Sequence, residues 1–195
     1  MRHIHEAIWT KFNIDPRTDN LPFVGTIGTR DDLAQLFAEL GYKKGAEVGV
    51  REGIYSEILC KANPDLELFC IDPWEPTFKY TPRKTRRLYQ ETVDRMAPFN
   101  ATLMKGYSLE VVKNIPDKSL DFVYIDALHE FDPVIQDIIH WVPKVVPGGI
   151  VAGHDFCHFR TGGVVFAVEA YTRAHNINPW YVTRHDKEPS WFWVR

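Results

Sequence analysis

The sequence has little cysteine: three in 195 residues, Cys60, Cys70 and Cys157, odd in number and far apart. That spacing excludes a disulfide framework and a paired Cys-x-x-Cys metal site, and it fits a reducing compartment. No uncharged apolar run reaches the roughly 18 residues of a membrane-spanning helix, and the opening MRHIHEAIWTKFNIDP has no apolar stretch ahead of a cleavage site. A cytoplasmic protein with no membrane association is the expectation. Positive charge is not in excess, since 23 Lys and Arg stand against 26 Asp and Glu for a net charge of −3. No global field therefore draws the chain to nucleic acid, and a small molecule is the expected partner. Association into a homo-oligomer is left open. Repeats and low-complexity segments are also missing.

What the chain does have is enough apolar residue, 45%, to bury one sizeable core within the usual span of a single domain. From Thr29 onward, helix-type and strand-type segments alternate. A helix capped by Thr29 ends at Gly41, GAEVGV reads as a buried strand, and REGIYSEILCKAN carries apolar residues at helical spacing. LELFCID, ATLMKG and LDFVYID are further strands, the last suited to the centre of a sheet. Between them lie a helix over Arg83 to Met96 and a short one closed by Pro116; another runs from Pro133 to Val142. PGGIVAGHDF is a fifth strand introduced by a Pro-Gly-Gly turn, followed by a helix at Val164 to Ala174 and two aromatic strands, PWYVT and SWFWV. These βα units predict an α/β fold: a Rossmann-like doubly wound sheet, mostly parallel with an antiparallel late strand and helices on both faces. Residues 1–28 show weak periodicity and are expected to form an N-terminal extension that packs on, or covers the site of, a domain over 29–195.

Ligands of such a sheet bind at the carboxyl ends of its strands. The first strand ends in Glu47-Val48-Gly49-Val50-Arg51-Glu52-Gly53, where a dinucleotide fold places its glycine turn, but the spacing is not G-x-G-x-x-G. Gly49 and Gly53 let backbone approach a ligand, whereas Glu47 and Glu52 would repel a pyrophosphate. That disfavours NAD and an oxidoreductase. An acid here suits a cofactor with an ammonium and no phosphate, as S-adenosylmethionine (SAM) has. Asp72 closes the second strand roughly 20 residues beyond the turn, the distance at which a carboxylate meets ribose hydroxyls. The competing structural reading is a tight strand-to-helix turn at the glycines and a helix cap at Asp72.

The run AEVGVREGIYSEIL resembles the first motif of class I SAM-dependent methyltransferases, and FCIDPWE resembles their second. LDFVYIDALHEFDPVIQDI with PGGIVAGHDF is similar to the fourth and fifth segments of the small-molecule branch that includes macrocin-type sugar O-methyltransferases. The likeness covers Ala46 to Phe156. It implies Glu47 and Gly49 near the methionine part of SAM, Asp72 on the ribose, Gly106, Tyr107 and Ser108 beside the adenine, and Asp126 at the reaction end. It also implies that Tyr55 and Ser56 close over the methionine carboxylate. The activity implied is methyl transfer to a hydroxyl of a sugar- or phenol-type acceptor, and a SAM-binding module without turnover is the competing class.

Asp126, His129, His154 and Asp155 fall at the ends of the fourth and fifth strands and so face one crevice. Mixed carboxylate and imidazole ligation at Asp126, His154 and Asp155 is compatible with magnesium, manganese or zinc. In the resembling family a metal-dependent subset has acids at these positions, and His154 departs from that pattern. His129, with an ordinary pKa of about 6.5, can take the proton of an acceptor hydroxyl or position it by a hydrogen bond. The alternative is a helix cap at His129 and a stacked loop residue at His154. Lys79, Arg83, Lys84, Arg86 and Arg87 form one basic run, expected as a solvated helix face. Trp180, Tyr181, Trp191, Phe192 and Trp193 are expected in the core. His158, Arg160, Gly162 and Gly163 are candidates to touch an acceptor.

Overall fold

The computed structural model describes residues 2–17, 21–25, 28–78, 80–158 and 162–195. Eight strands form one sheet: β1 (Phe23–Val24), β2 (Lys44–Val48), β3 (Glu67–Asp72), β4 (Ala101–Lys105), β5 (Leu120–Ile125), β6 (Val145–Gly153), β7 (Trp180–Val182) and β8 (Trp191–Val194). Their order is β1-β7-β8-β6-β5-β2-β3-β4. Among the described residues only β8 runs against the rest, pairing antiparallel with both β6 and β7. The doubly wound, mostly parallel sheet with one antiparallel late strand is therefore as the sequence pattern predicts.

Period-two alternation sorts the side chains of each strand onto two faces. On β5, Phe122 and Tyr124 join one buried cluster while Val123 and Ile125 join the other. The first cluster is covered by α1 (Arg2–Phe12), α2 (Arg30–Glu39), α3 (Ile54–Ala62) and α4 (Pro82–Met96). The second is covered by α5 (Ser108–Val111), α6 (Phe131–Trp141) and α7 (Val164–Ala174). Among the described residues no helix is long and apolar enough to cross a membrane.

The N-terminal residues pack on the sheet, and one feature elsewhere departs from the pattern read in the sequence. The first 28 residues supply α1, whose Ile4, Ile8 and Phe12 are buried, and β1, which pairs with β7 at the sheet edge. Pro147-Gly148-Gly149 does not introduce β6 as a turn; it lies inside it as an irregularity, where pairing with β5 slips between Leu120 and Phe122. A side chain at Gly149 would meet Asp121 O at 2.4 Å, so the backbones close up only around a glycine.

The aromatic residues of the tail, Trp180, Tyr181, Trp191, Phe192 and Trp193, are all buried, as expected of core. On α4, Arg83, Arg86 and Arg87 lie on the exposed face opposite the buried Thr85, Leu88 and Thr92. Lys84 stacks over Tyr80, and Lys79 lies outside the described residues.

Candidate active site

The chain reverses its direction of winding between β2 and β5, and the ends of these strands frame a crevice. At its base the backbone of Gly49 crosses Asp126 and Ala127 so closely that a Cβ would lie 2.0 Å from Asp126 O. Its φ of +97° adds a second reason for glycine. Gly49 N donates to Ile71 O (2.8 Å) and Asp126 N to Val48 O (2.7 Å), which knits the tips of β2, β3 and β5 together.

Glu47 points to the α1–α4 side and is only 2% exposed. Ser56 donates to its Oε2. Burial pushes its pKa up to about 8; the Ser56 hydrogen bond opposes the shift, and the negative charges of Asp126 and Asp72 add to it. Gly53 has φ of +76° and caps α3, with Thr92 of α4 3.2 Å from where its Cβ would stand.

Tyr55 and Ser56, expected to close over the methionine carboxylate, turn inward on α3. Both are buried, and both hydroxyls are already donating, Tyr55 to Arg30 O (2.8 Å) and Ser56 to Glu47. Their place on the inward face of α3 makes them braces for Arg30 and Glu47.

Asp72 is held by two backbone amides, Arg51 N on Oδ2 (2.9 Å) and Trp74 N on Oδ1 (2.7 Å). Trp74 Nε1 closes the loop by donating to Arg51 O (2.7 Å). Burial raises the Asp72 pKa against the lowering effect of these amides. Each oxygen keeps a lone pair for a further donor. Beside it, Gly106 N donates to Asp72 O (3.1 Å), and the exposed Tyr107 donates to Glu75 Oε2 (2.8 Å). Ser108 is committed elsewhere: its hydroxyl donates to Asp137 Oδ1 (2.5 Å) and accepts from Trp141 Nε1 (2.8 Å). That ties α5 to α6 through the Ser108 side chain.

The other end of the crevice gathers the four residues predicted there. His129 Nε2 lies 3.1 Å from Asp155 Oδ2 and 3.7 Å from Asp126 Oδ1. His154 Nδ1 lies 3.5 Å from Asp155 Oδ2 and 3.8 Å from Asp126 Oδ2. Asp126, His154 and Asp155 can each offer one ligand atom within 4.8 Å of the others, a spacing compatible with a shared cation. Asp126, foremost, and Asp155 hold the His129 pKa above its ordinary value despite partial burial. Burial alone would raise Asp155, but the His154 hydrogen bond and the neighbouring positive charges outweigh it and hold the carboxyl low. Asp155 adopts φ of +59°, a conformation sparsely used by residues with a side chain.

The wall beside His129 is apolar. Gly163 N donates to His129 O (2.6 Å), bringing the start of α7 against the loop that precedes α6. A Cβ at Gly163 would sit 2.2 Å from Phe131 N, which explains that glycine. Leu128 (61%), Phe131 (41%) and Phe166 (57%) remain exposed along these two segments, and His158 packs 5.6 Å from Phe166. Arg160 lies outside the described residues.

In the sequence Arg30 reads only as one residue of a helix start. Its cation at the positive end of a helix dipole, between Thr29 and two acids, is the local misfit that could have signalled a role.

Residues 46–156, more than half of the chain, match the family model described as a methyltransferase domain. The chain belongs to this methyltransferase family. The fold of this methyltransferase domain recurs in solved structures. The O-methyltransferase from Bacillus cereus, in complex with SAH, shares 14% identity and aligns with a TM-score of 0.62 over 100% of this chain and 91% of that one. TomG of Streptomyces achromogenes, an O-methyltransferase involved in tomaymycin synthesis and solved with SAM, shares 15% identity at a TM-score of 0.61, over 100% and 90%. At these identities the likeness is one of fold. A curated relative, the uncharacterized protein y4gI of Sinorhizobium fredii, is 27% identical over 116 residues. The match covers 56% of this methyltransferase chain and only 12% of the relative's length.

Proposed function

We propose that this methyltransferase domain uses SAM to methylate a hydroxyl oxygen of a small-molecule acceptor, a phenol or a sugar. The observation that carries the reading is the succession of acids along one crevice. Glu47 and Asp72 stand near the tips of β2 and β3, and Glu47 feels the negative charges of both Asp72 and Asp126, the latter one of the Asp126, His129, His154 and Asp155 cluster at the tips of β5 and β6. The shared fold with the Bacillus cereus O-methyltransferase and with TomG, also an O-methyltransferase, supports the choice of oxygen.

The donor set fits the cofactor. A buried acid at Glu47 suits an ammonium, and the fixed, two-oxygen acceptor of Asp72 suits ribose hydroxyls. Gly49, Gly106 and Tyr107 line the remaining length. When bound, SAM supplies an electrophilic methyl group on a positively charged sulfur. His129 accepts the proton of the acceptor hydroxyl at Nε2, and Asp126 and Asp155 stabilise the resulting imidazolium. Asp126, His154 and Asp155 are the residues that would hold a divalent ion such as magnesium or manganese, whose positive charge lowers the pKa of a coordinated hydroxyl. Leu128, Phe131 and Phe166 favour an acceptor with a flat apolar part, which a phenol has and a free sugar lacks.

The test is calorimetry with SAM and its demethylated product, followed by transfer of labelled methyl to panels of phenols and sugars, before and after exhaustive chelation. Cofactor binding with labelled ether products is expected, and chelation is expected to abolish turnover until manganese or magnesium is returned. Tight binding with no product on any panel would convert the reading to a binding module, and full activity after chelation would remove the ion.

A further inference from the structure

Arg30 is mounted on the core with unusual care for a helix-start residue. Its N–H donates to Asp186 Oδ2 (2.7 Å), its carbonyl accepts from the Tyr55 hydroxyl (2.8 Å), and its guanidinium carbon lies 5.1 Å from the centre of the Tyr55 ring. Tyr55 packs in turn on Tyr124 of β5, ring centres 4.4 Å apart. Asp186 is itself fixed by Thr183 Oγ1 (3.2 Å), and Arg184 N and His185 N both donate to Gly28 O (3.2 and 3.0 Å). The β7–β8 connection thus holds the backbone on both sides of Thr29.

Against this bracing, the guanidinium is left without an ion pair or a side-chain hydrogen bond among the described residues. It is only partly exposed, and the acids it influences or is influenced by include Glu47, Asp126, Asp155 and Asp186. A partly buried arginine in such company ordinarily closes on a carboxylate, because its planar fork loses little freedom in doing so. Here it stacks on Tyr55 instead, and its N–H donors stay available within the electrostatic reach of Glu47 and Asp126.

We infer that Arg30 takes the carboxylate of the amino-acid end of the cofactor, while Glu47 takes the ammonium. The inference rests on the SAM reading above. A zwitterion needs one anion and one cation that bear on the same space without neutralising each other, and Glu47 and Arg30 meet that condition. Both are braced by consecutive residues of α3, Ser56 holding Glu47 and Tyr55 holding Arg30. The two hydroxyls the sequence suggested for the carboxylate are the ones used up in that bracing. A charge-assisted fork is then the available partner.

The test compares SAM with decarboxylated SAM, its analogue lacking only the carboxylate, by titration calorimetry on the full chain. Wild type should bind SAM about 10- to 100-fold more tightly than the analogue, the range of a hydrogen bond to a charged group. Arg30→Gln should lose that preference by weakening SAM alone, and Arg30→Lys should restore part of it. Equal affinity of wild type for the two ligands would overturn the proposal, as would an Arg30→Gln variant that weakens both alike. The first of these outcomes needs no variant to fold. Failure of wild type to bind SAM at all would instead overturn the cofactor reading, and this assignment with it.

Discussion

The Ser56 hydroxyl donates to Glu47, joining the first turn of α3 to the tip of β2 and holding a carboxyl group in a site where it is almost shut off from water. The consequence is a group poised to change its proton with its ligand. With its folded pKa raised to about 8 from an unfolded value of 4.5, Glu47 binds more proton in the folded state between those limits. Its contribution to stability is therefore greatest below the lower value and declines as pH rises through the window. An ammonium beside it reverses the preference. SAM binding near neutral pH should release close to one proton, seen as a dependence of binding enthalpy on buffer ionisation, and affinity should rise toward pH 8. Glu47→Gln should abolish the buffer dependence; its persistence in that variant would assign the proton to another group.

Asp72→Ala removes the acceptor of Arg51 N and Trp74 N together with the proposed ribose contact. Affinity for SAM should fall about 10- to 100-fold, on the scale of hydrogen bonds to a charged group. Calorimetry on folded variant is the check, and unchanged affinity would separate Asp72 from the cofactor.

His129→Ala should lower turnover by about 10²- to 10⁴-fold, the usual share of general acid–base catalysis. Cofactor affinity should stay near wild type, because His129 contacts Asp126 and Asp155 at the far end of the crevice from Asp72. A matching loss in binding and turnover would make it a structural residue.

Gly49→Ala places a methyl group 2.0 Å from the Asp126 carbonyl oxygen at a φ of +97°. The backbones of β2 and β5 must part to admit it, so a loss of roughly 2 kcal/mol or more is expected. Urea denaturation measures it; a variant as stable as wild type would contradict the close crossing.

Much of this architecture is legible in local sequence because β2 to β6 announce themselves through apolar runs and β-branched residues, and α2, α4 and α7 through caps and spacing. The acids and histidines of the crevice follow at once, since a strand end is where each stands. What eludes such reading depends on distant partners. β1 has two residues, too few for a period, and exists because Phe23 and Val24 meet Tyr181 and Val182. Arg30 gains its standing from Tyr55 and Asp186. The inward turn of Tyr55 and Ser56 is a matter of helical phase, which a helix's opening residues leave undetermined until α3 is docked on the sheet. Ser108 likewise looks outward until Asp137 and Trp141 of α6 claim its hydroxyl.

The pairing of β1 with β7 means that the stretch shared with the family, 46–156, is not the whole of the folded unit. Shortening the protein to that stretch plus its C-terminal strands would uncover the flank of β7, strip the Phe12 ring from Phe192, and leave amide and carbonyl groups reaching for another strand. Recombinant forms trimmed before residue 28 would then clump through that bare margin, and the short N-terminal ribbon serves the intact molecule as a guard against its own neighbours.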